Sequence, residues 1–359
     1  KMKKKLVGML ATATLLTMAL AGNVQAAEIR SVGQDGEAAV DASTIELTDD
    51  QIAQIKEGGY TAAICLHYGG NDWSTSQQKG LEDTFGELGI EIVAVTDANF
   101  SAETQVSNIE TVMAKKPDIL VSIPTDATAT ADAYKQAAAA GIKIVFMDQR
   151  ADGLEAGKDY VSVVSADNYG NGYASGTVLG DALGGKGKVA MVYYDANFAP
   201  TNQRDEGFRD AMKNYPDIEI VTEQGFTDES GCAEQGDAIL TQFPNIDGIY
   251  ASWDVPMEGV LSAVRAAGME GKVTLACNDL GNNVAREIAS GNIAGGGAQM
   301  PYDQGVAEAK LAALALLGEE TPSYVAVPAE TVTHENVLEA YTDVYHVETP
   351  DWLKEAYVE

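Results

Sequence analysis

From Thr61 onward the chain alternates short apolar runs with alanine-rich segments of helical spacing. Ten runs carry the pattern: "TAAICLH", "IEIVAVT", "DILVSIP", "IKIVFMD", "YVSVVSA", "KVAMVYY", "IEIVTEQ", "IDGIYAS", "KVTLACN" and "IAGGGAQ". Most are rich in Val and Ile, whose branched side chains suit a pleated surface. Most are apolar throughout rather than alternating, which predicts strands covered on both faces. Segments such as Asp132 to Ala140 and Val306 to Leu317 predict the covering helices. The fold class is therefore α/β. Ten strands exceed one compact doubly wound sheet, so two doubly wound parallel-sheet lobes are expected, joined by a multi-strand hinge.

Boundaries follow from breaks in this pattern. Residues 27–58 read as a polar lead-in ending in one helix, capped by "TDD". The first lobe is expected over 59–165 and 300–327, where "GAQMPYDQG" marks a return crossing. Residues 166–299 form the second lobe, and 328–359 a C-terminal crossing and tail. More than one crossing makes a hinge rather than a loose tether, with a ligand cleft at the carboxyl ends of the strands.

Composition narrows the function. Residues 1–26 run from four lysines through an apolar stretch to Val24 and Ala26, the order of a cleaved secretory signal peptide and too short in its apolar part for a span. Asn23 follows "LAG" where a lipoprotein signal needs Cys. Beyond residue 26 the chain holds 19 basic against 54 acidic residues, a net charge of −35. Such a surface repels nucleic acid and anionic lipid. Cys65, Cys232 and Cys277 are odd in number and scattered, which favours buried thiols over a disulfide framework. His67, His334 and His346 have no ligand spacing with them, so no metal or other cofactor is expected.

Several motifs fail on spacing. "YGNGYASG" has one residue too many between its last two glycines for a dinucleotide fingerprint, and "SADN" separates it from its strand. "GGKGK" lacks the spacing and hydroxyl of a phosphate loop. No Gly-x-Ser-x-Gly elbow is present.

What recurs is a set of planar polar and aromatic residues just after the strands. The first run is followed by Asn71, Asp72 and Trp73, and the fourth by Asp148, Gln149 and Arg150. The eighth gives Trp253 and Asp254, the ninth Asn278 and Asp279, and the tenth Gln299, while Arg204 follows "KVAMVYY". Such groups offer the paired donors and acceptors that hydroxyls need, and an indole face suits the C–H face of a sugar ring. Any single Asp here can instead be a helix cap, and Trp73 alone a core lid. Recurrence at one end of several strands favours a site. The expected roles are stacking for Trp73 and Trp253, hydrogen bonds to ligand from Asn71, Asp148, Arg204, Asp279 and Gln299, and orientation of these by Asp254 and Asn278.

The stretches "VSIPTDATATADAYKQAAAAGIKIVFMD", "SADNYGNG", "NQRDEGF" and "GAQMPYDQG" resemble the type 1 periplasmic binding proteins of ABC sugar importers, in the branch that includes the ribose-binding protein. The similarity runs from about Thr61 to Val327. It implies ligand contacts from Asn71, Trp73, Asp148, Arg204, Phe226, Asp279 and Gln299. Three departures accompany it. Ser74 stands where a second aromatic is usual, which implies an open wall. Gln149 replaces an arginine, lost or displaced to Arg150, and Trp253 replaces an Asn.

The resemblance implies an extracytoplasmic, periplasmic or secreted, monomeric protein that captures a small sugar or polyol by hinge closure and hands it to an ABC transporter permease. Two rivals stay open: a sensory partner of a chemoreceptor or histidine kinase, and a carbohydrate-active enzyme, which needs an acid and base carboxylate pair around one bond. A transcription regulator is opposed by the export signal, the acidic charge and the missing N-terminal helix-turn-helix.

Overall fold

The computed structural model describes residues 28–358, so the expected signal peptide lies outside the described residues. The chain enters through β1 (Val40–Asp41) and α1 (Asp49–Gly58), then builds β2 (Thr61–Leu66), α2 (Asp72–Glu87), β3 (Glu91–Asp97), α3 (Ala102–Ala114), β4 (Ile119–Ser122), α4 (Ala131–Ala139), β5 (Lys143–Met147) and β6 (Ser162–Ala166). A second unit follows with α5 (Asn168–Ala182), β7 (Lys186–Tyr194), α6 (Ala199–Met212), β8 (Asp217–Phe226), α7 (Cys232–Gln242), β9 (Gly248–Ala251), α8 (Asp254–Ala266), β10 (Thr274–Cys277), α9 (Asn282–Ala289) and β11 (Gly295–Ala298). The chain closes with α10 (Pro301–Leu316), β12 (Tyr324–Val327), β13 (Glu330–Thr333), α11 (Val337–Tyr345) and α12 (Asp351–Ala356).

All ten apolar runs lie on strands. The first sheet runs β1-β12-β6-β5-β4-β2-β3, parallel throughout. The second runs β13-β11-β10-β9-β7-β8, parallel except for β13 against β11. Each sheet reverses its direction of growth once, between β2 and β4 and between β7 and β9, which opens a crevice at the strands' carboxyl ends. The chain passes between sheets at Asp167, between Ala298 and Pro301, and again between Val327 and Glu330. Strands β1, β12 and β13 have no counterpart among the ten runs: β1 has two residues, β13 ("ETVT") is mixed in polarity, and β12 ("YVAV") lies in the segment expected to complete the first lobe.

The lead-in is more structured than its polarity implies. The backbone N–H groups of Arg30 and Ser31 donate to the Asp167 carboxylate at 3.0 and 2.8 Å, and Asp35 pairs with Arg150 at 2.7 Å. It therefore runs across the first crossing, tied to both lobes. The tail folds onto the second lobe, where the Arg286 guanidinium lies 5.0 Å over the Trp352 ring.

The glycines of "YGNGYASG" serve helix packing. A Cβ on Gly172 of α5 would lie 1.8 Å from the Arg204 carbonyl oxygen of α6, and one on Gly207 would lie 2.1 Å from the Tyr169 carbonyl. Only glycine lets two helices approach so closely. This contact sets the position of Arg204.

Candidate functional site

The loops at the carboxyl ends of both sheets face each other across a cleft with about 500 Å³ of non-atom space, counting its mouth. From the first lobe, Asn71 caps α2 by accepting from Ser74 N at 2.7 Å, and its buried Nδ2 has no protein partner. Trp73, one turn along, donates Nε1 to Gln299 Oε1 at 3.2 Å. Gln299 Nε2 donates to Asp279 Oδ1 at 2.7 Å, and Arg204 NH1 donates to Asp279 Oδ2 at 3.2 Å. Arg204 Nε donates to Asn168 Oδ1 at 2.8 Å, and NH1 also reaches the Ser252 carbonyl at 3.2 Å. A single relay thus runs from an indole of the first lobe to a guanidinium of the second.

The two lobes repeat one device. Asp148 follows β5 and Asp279 follows β10, both with left-handed backbone at φ 55° and 69°. Each donates its N–H to the next strand, Val164 O and Gly297 O, at 2.8 Å. Strained backbone at a strand exit marks a side chain held in a required direction.

Electrostatics follow from burial. Desolvation raises the Asp148 carboxyl above its ordinary range, partly offset by Arg204 and by the hydrogen bond from Ser165 Oγ at 2.9 Å. Burial raises Asp254 well above its ordinary range, reinforced by Asp279. For Arg204 burial works against the charge, yet Asp279 and Asp148 more than offset it and the guanidinium stays protonated. Burial lowers His67 to about 3, so this ring is neutral.

One neighbour of the relay offers a clean titration. Burial raises Asp205, beside Arg204 on α6, to about 6, against hydrogen bonds from Ser252 Oγ at 2.7 Å and Tyr250 OH at 3.3 Å. Its folded pKa exceeds the ordinary 3.8, so the unfolded chain gives up this proton first as pH rises. Stability is full below pH 3.8 and falls towards pH 6. Thermal or urea unfolding of the wild type should lose up to about 3 kcal/mol over this window relative to Asp205→Asn, at about 1.4 kcal/mol per unit.

Six expectations meet a different placement. Asp72 turns its carboxylate to Asn282, accepting from N at 2.7 Å and Nδ2 at 2.8 Å, because it stands at the first turn of α2 opposite the start of α9. It is a latch between lobes at the cleft mouth. Asp72→Ala should weaken ligand affinity about fivefold, the worth of a net hydrogen bond, in a calorimetric titration. Gln149 is buried, donating to Pro124 O at 2.9 Å and accepting from Ala199 N at 3.1 Å, so it braces the lobes instead of lining the cleft. Arg150 turns to Asp35 of the lead-in, does not line the cleft and does not replace an arginine in the site. Phe226 lies behind Trp253, ring centroids 5.1 Å apart, in the second-lobe core. Asn278 is fully buried, holding Ser175 Oγ, Tyr250 OH and Ser252 O. Ser74 is buried in the first turn of α2, donating Oγ to Asn71 O at 3.1 Å, and does not line the cleft.

Five further rings, those of His67, Tyr68, Phe100, Tyr194 and Phe198, line the cleft and were not among the site residues read from sequence. His67 stacks on Phe198 at 5.8 Å and meets Phe100 edge-on at 5.2 Å, while Tyr68 stacks on Phe100 at 4.1 Å. Tyr194 meets Trp253 at 5.6 Å. Trp253 Nε1 donates to Glu229 Oε1 at 2.7 Å, and Tyr68 OH reaches the same oxygen at 3.4 Å. His67 and Tyr194 end the first and sixth runs and Tyr68 directly follows the first, which was a usable signal. Phe100 and Phe198 sit in loops with no pattern to mark them.

Among the described residues no cluster of His, Cys, Asp or Glu could hold a metal ion, and no helix is long and apolar enough to cross a membrane. All three cysteines are buried and free.

Comparison with known proteins places this geometry. The D-ribose/D-allose-binding protein of Pseudomonas aeruginosa PAO1 is 29% identical over 273 residues, covering 73% of this chain and 83% of that one. The ribose import binding protein of Bacillus subtilis 168 is 27% identical over 213 residues, 59% of this chain and 67% of that one. An ABC transporter periplasmic solute binding protein from Actinobacillus succinogenes 130z, solved with bound D-allose, superposes with a TM-score of 0.72 at 29% identity, covering 77% of this chain and 99% of that one. One from Agrobacterium vitis, bound with alpha-D-tagatopyranose, gives 0.74 at 25% identity over 81% and 100%. The periplasmic binding protein domain model matches residues 62–320, which take in most strands of both sheets and every relay residue. With two doubly wound lobes, three crossings and a cleft at the facing strand ends, the chain belongs to the periplasmic binding protein family.

Proposed function

We propose that this protein is an extracytoplasmic solute-binding protein that captures a small sugar or polyol in the interlobe cleft and delivers it to an ABC transporter permease. The observation that carries this reading is the buried relay Trp73–Gln299–Asp279–Arg204, with Asp148 beside it. Planar donors and acceptors of both signs, held in the cleft between the lobes, match vicinal hydroxyls, each of which donates and accepts. Relatives bound to D-allose and D-tagatopyranose support the same class. Contacts from both lobes favour the closed state only when ligand completes them, so ligand drives closure. The protein acts as a monomer and by binding alone; both Asp279 oxygens are engaged within the relay, leaving no free acid and base pair with Asp254.

A thermal-shift screen over pentoses, hexoses, deoxysugars and polyols tests this, because a ligand bound only by the folded state raises the melting point. At least one member should shift it. A flat response to the panel, with a shift from amino acids or nucleosides, overturns the reading.

A further inference from the structure

Tyr68 and Trp253 line the cleft from opposite lobes, and both give their hydrogen-bond donor to one residue that does not line it. Glu229 Oε1 accepts from Trp253 Nε1 at 2.7 Å and from Tyr68 OH at 3.4 Å. Trp253 follows β9, and Glu229 opens the short turn Glu229–Gly231 after β8, so the first bond lies within the second lobe. Tyr68 follows β2, so the second bond crosses between lobes.

Each member is held in place by contacts other than these bonds. The turn that carries Glu229 is fixed by Asp228, whose Oδ1 accepts from Ser230 N at 2.9 Å and whose carbonyl accepts from Gly231 N at 3.1 Å. The Trp253 ring packs on Phe226 and Tyr194, with centroids 5.1 and 5.6 Å away. The Tyr68 ring stacks on Phe100 at 4.1 Å and meets His67 edge-on at 4.8 Å. Groups fixed in this way have little freedom left to lose when they pair, and a carboxylate acceptor makes the stronger kind of hydrogen bond. Hinge opening parts the strand-end loops of the two lobes. It must therefore break the Tyr68 bond, whereas the Trp253 bond travels with the second lobe. This tie is separate from the Asp72–Asn282 latch, which joins α2 to α9.

The geometry points to Glu229 as a positioning residue for ligand capture: it orients the Trp253 indole in the cleft wall and, through Tyr68, fastens that wall to the first lobe when the lobes close. This rests on the solute-capture reading and adds what governs how long the cleft stays shut. A bond made only after closure acts on release, so Glu229 should change the dissociation rate and leave association nearly untouched.

Stopped-flow dissociation of D-ribose, D-allose and D-tagatose from Tyr68→Phe, Glu229→Ala and the double variant provides the test. Tyr68 lines the cleft, so a slower or faster single variant does not separate a ligand contact from the tie; the coupling between the two changes does. Release should be about fivefold faster in Tyr68→Phe and about tenfold faster in Glu229→Ala, and the double variant should be no faster than Glu229→Ala alone. Glu229→Gln keeps an oxygen acceptor on the same stem and should bring release back to within about threefold of the wild type. Multiplying effects, near about fiftyfold in the double variant, or Glu229→Gln as fast as Glu229→Ala, overturn this inference and leave the sugar reading standing. Binding of no sugar or polyol, together with binding of an amino acid or nucleoside, overturns both.

Discussion

Asp279→Ala is expected to destroy ligand capture and to destabilise the second lobe at once. Asp279 joins the two halves of the relay, holding Arg204 through Oδ2 and Gln299 through Oδ1. Its side chain is 9% exposed and that of Arg204 6%, so removal strands a guanidinium with little water to solvate it. Breaking a buried pair from one side costs about 3–5 kcal/mol. Arg204 keeps Asn168 and the Ser252 carbonyl, which places the loss towards the lower figure. Affinity should fall more than about hundredfold, since a truncated charge pair costs about 2–5 kcal/mol in binding. Asp279→Asn, which keeps the shape and the acceptor for Gln299, should lose affinity with a smaller drop in melting temperature. Calorimetry and thermal unfolding of the two variants separate these effects; unchanged affinity in Asp279→Ala would remove the relay from the account.

Gly172→Ala should be the most damaging single methyl group in the molecule's helices. The added Cβ would sit 1.8 Å from the Arg204 carbonyl oxygen, a backbone atom that no rotamer change moves. Alanine gains up to about 1 kcal/mol of helix propensity over glycine. Overpacking costs about 1–3 kcal/mol and more where the backbone must shift, so it wins. Moving α6 away from α5 also carries Arg204 off its bonds to Asn168 and Asp279, so affinity should fall with stability. Gly86 in α2 gives the matched control: nothing lies within 4 Å of its Cβ position, and Gly86→Ala should stabilise by up to about 1 kcal/mol. Urea unfolding of the pair should show shifts of opposite sign.

The comparison between pattern and structure has a physical explanation at each point. The ten strands were legible because parallel strands buried on both faces are apolar almost throughout, as in "DILVSIP" and "IKIVFMD". Strands β1 and β13 were not, because one is two residues long and the other, "ETVT", is mixed in polarity. In the cleft, Asn71, Trp73, Asp148, Arg204, Trp253, Asp254, Asp279 and Gln299 come together as lining residues. Residue type and strand-end position specify these well. Asp72, Gln149 and Asn278 share that position, yet a one-residue step along a loop turns the side chain to the other lobe or into the sheet. Sequence neighbours of a ligand contact thus become latch and brace residues. The glycines that fail as a nucleotide loop gained their explanation only when α5 and α6 were seen in contact.

The most direct measurement is a calorimetric titration of wild type and Asp279→Ala with the sugar that gives the largest thermal shift. Saturable binding of one sugar per chain by the wild type, weakened more than about hundredfold in the variant, is the predicted result. Equal affinity in both proteins, or saturable binding of an amino acid or nucleoside where no sugar or polyol binds, would contradict capture of a hydroxylated ligand by this cleft.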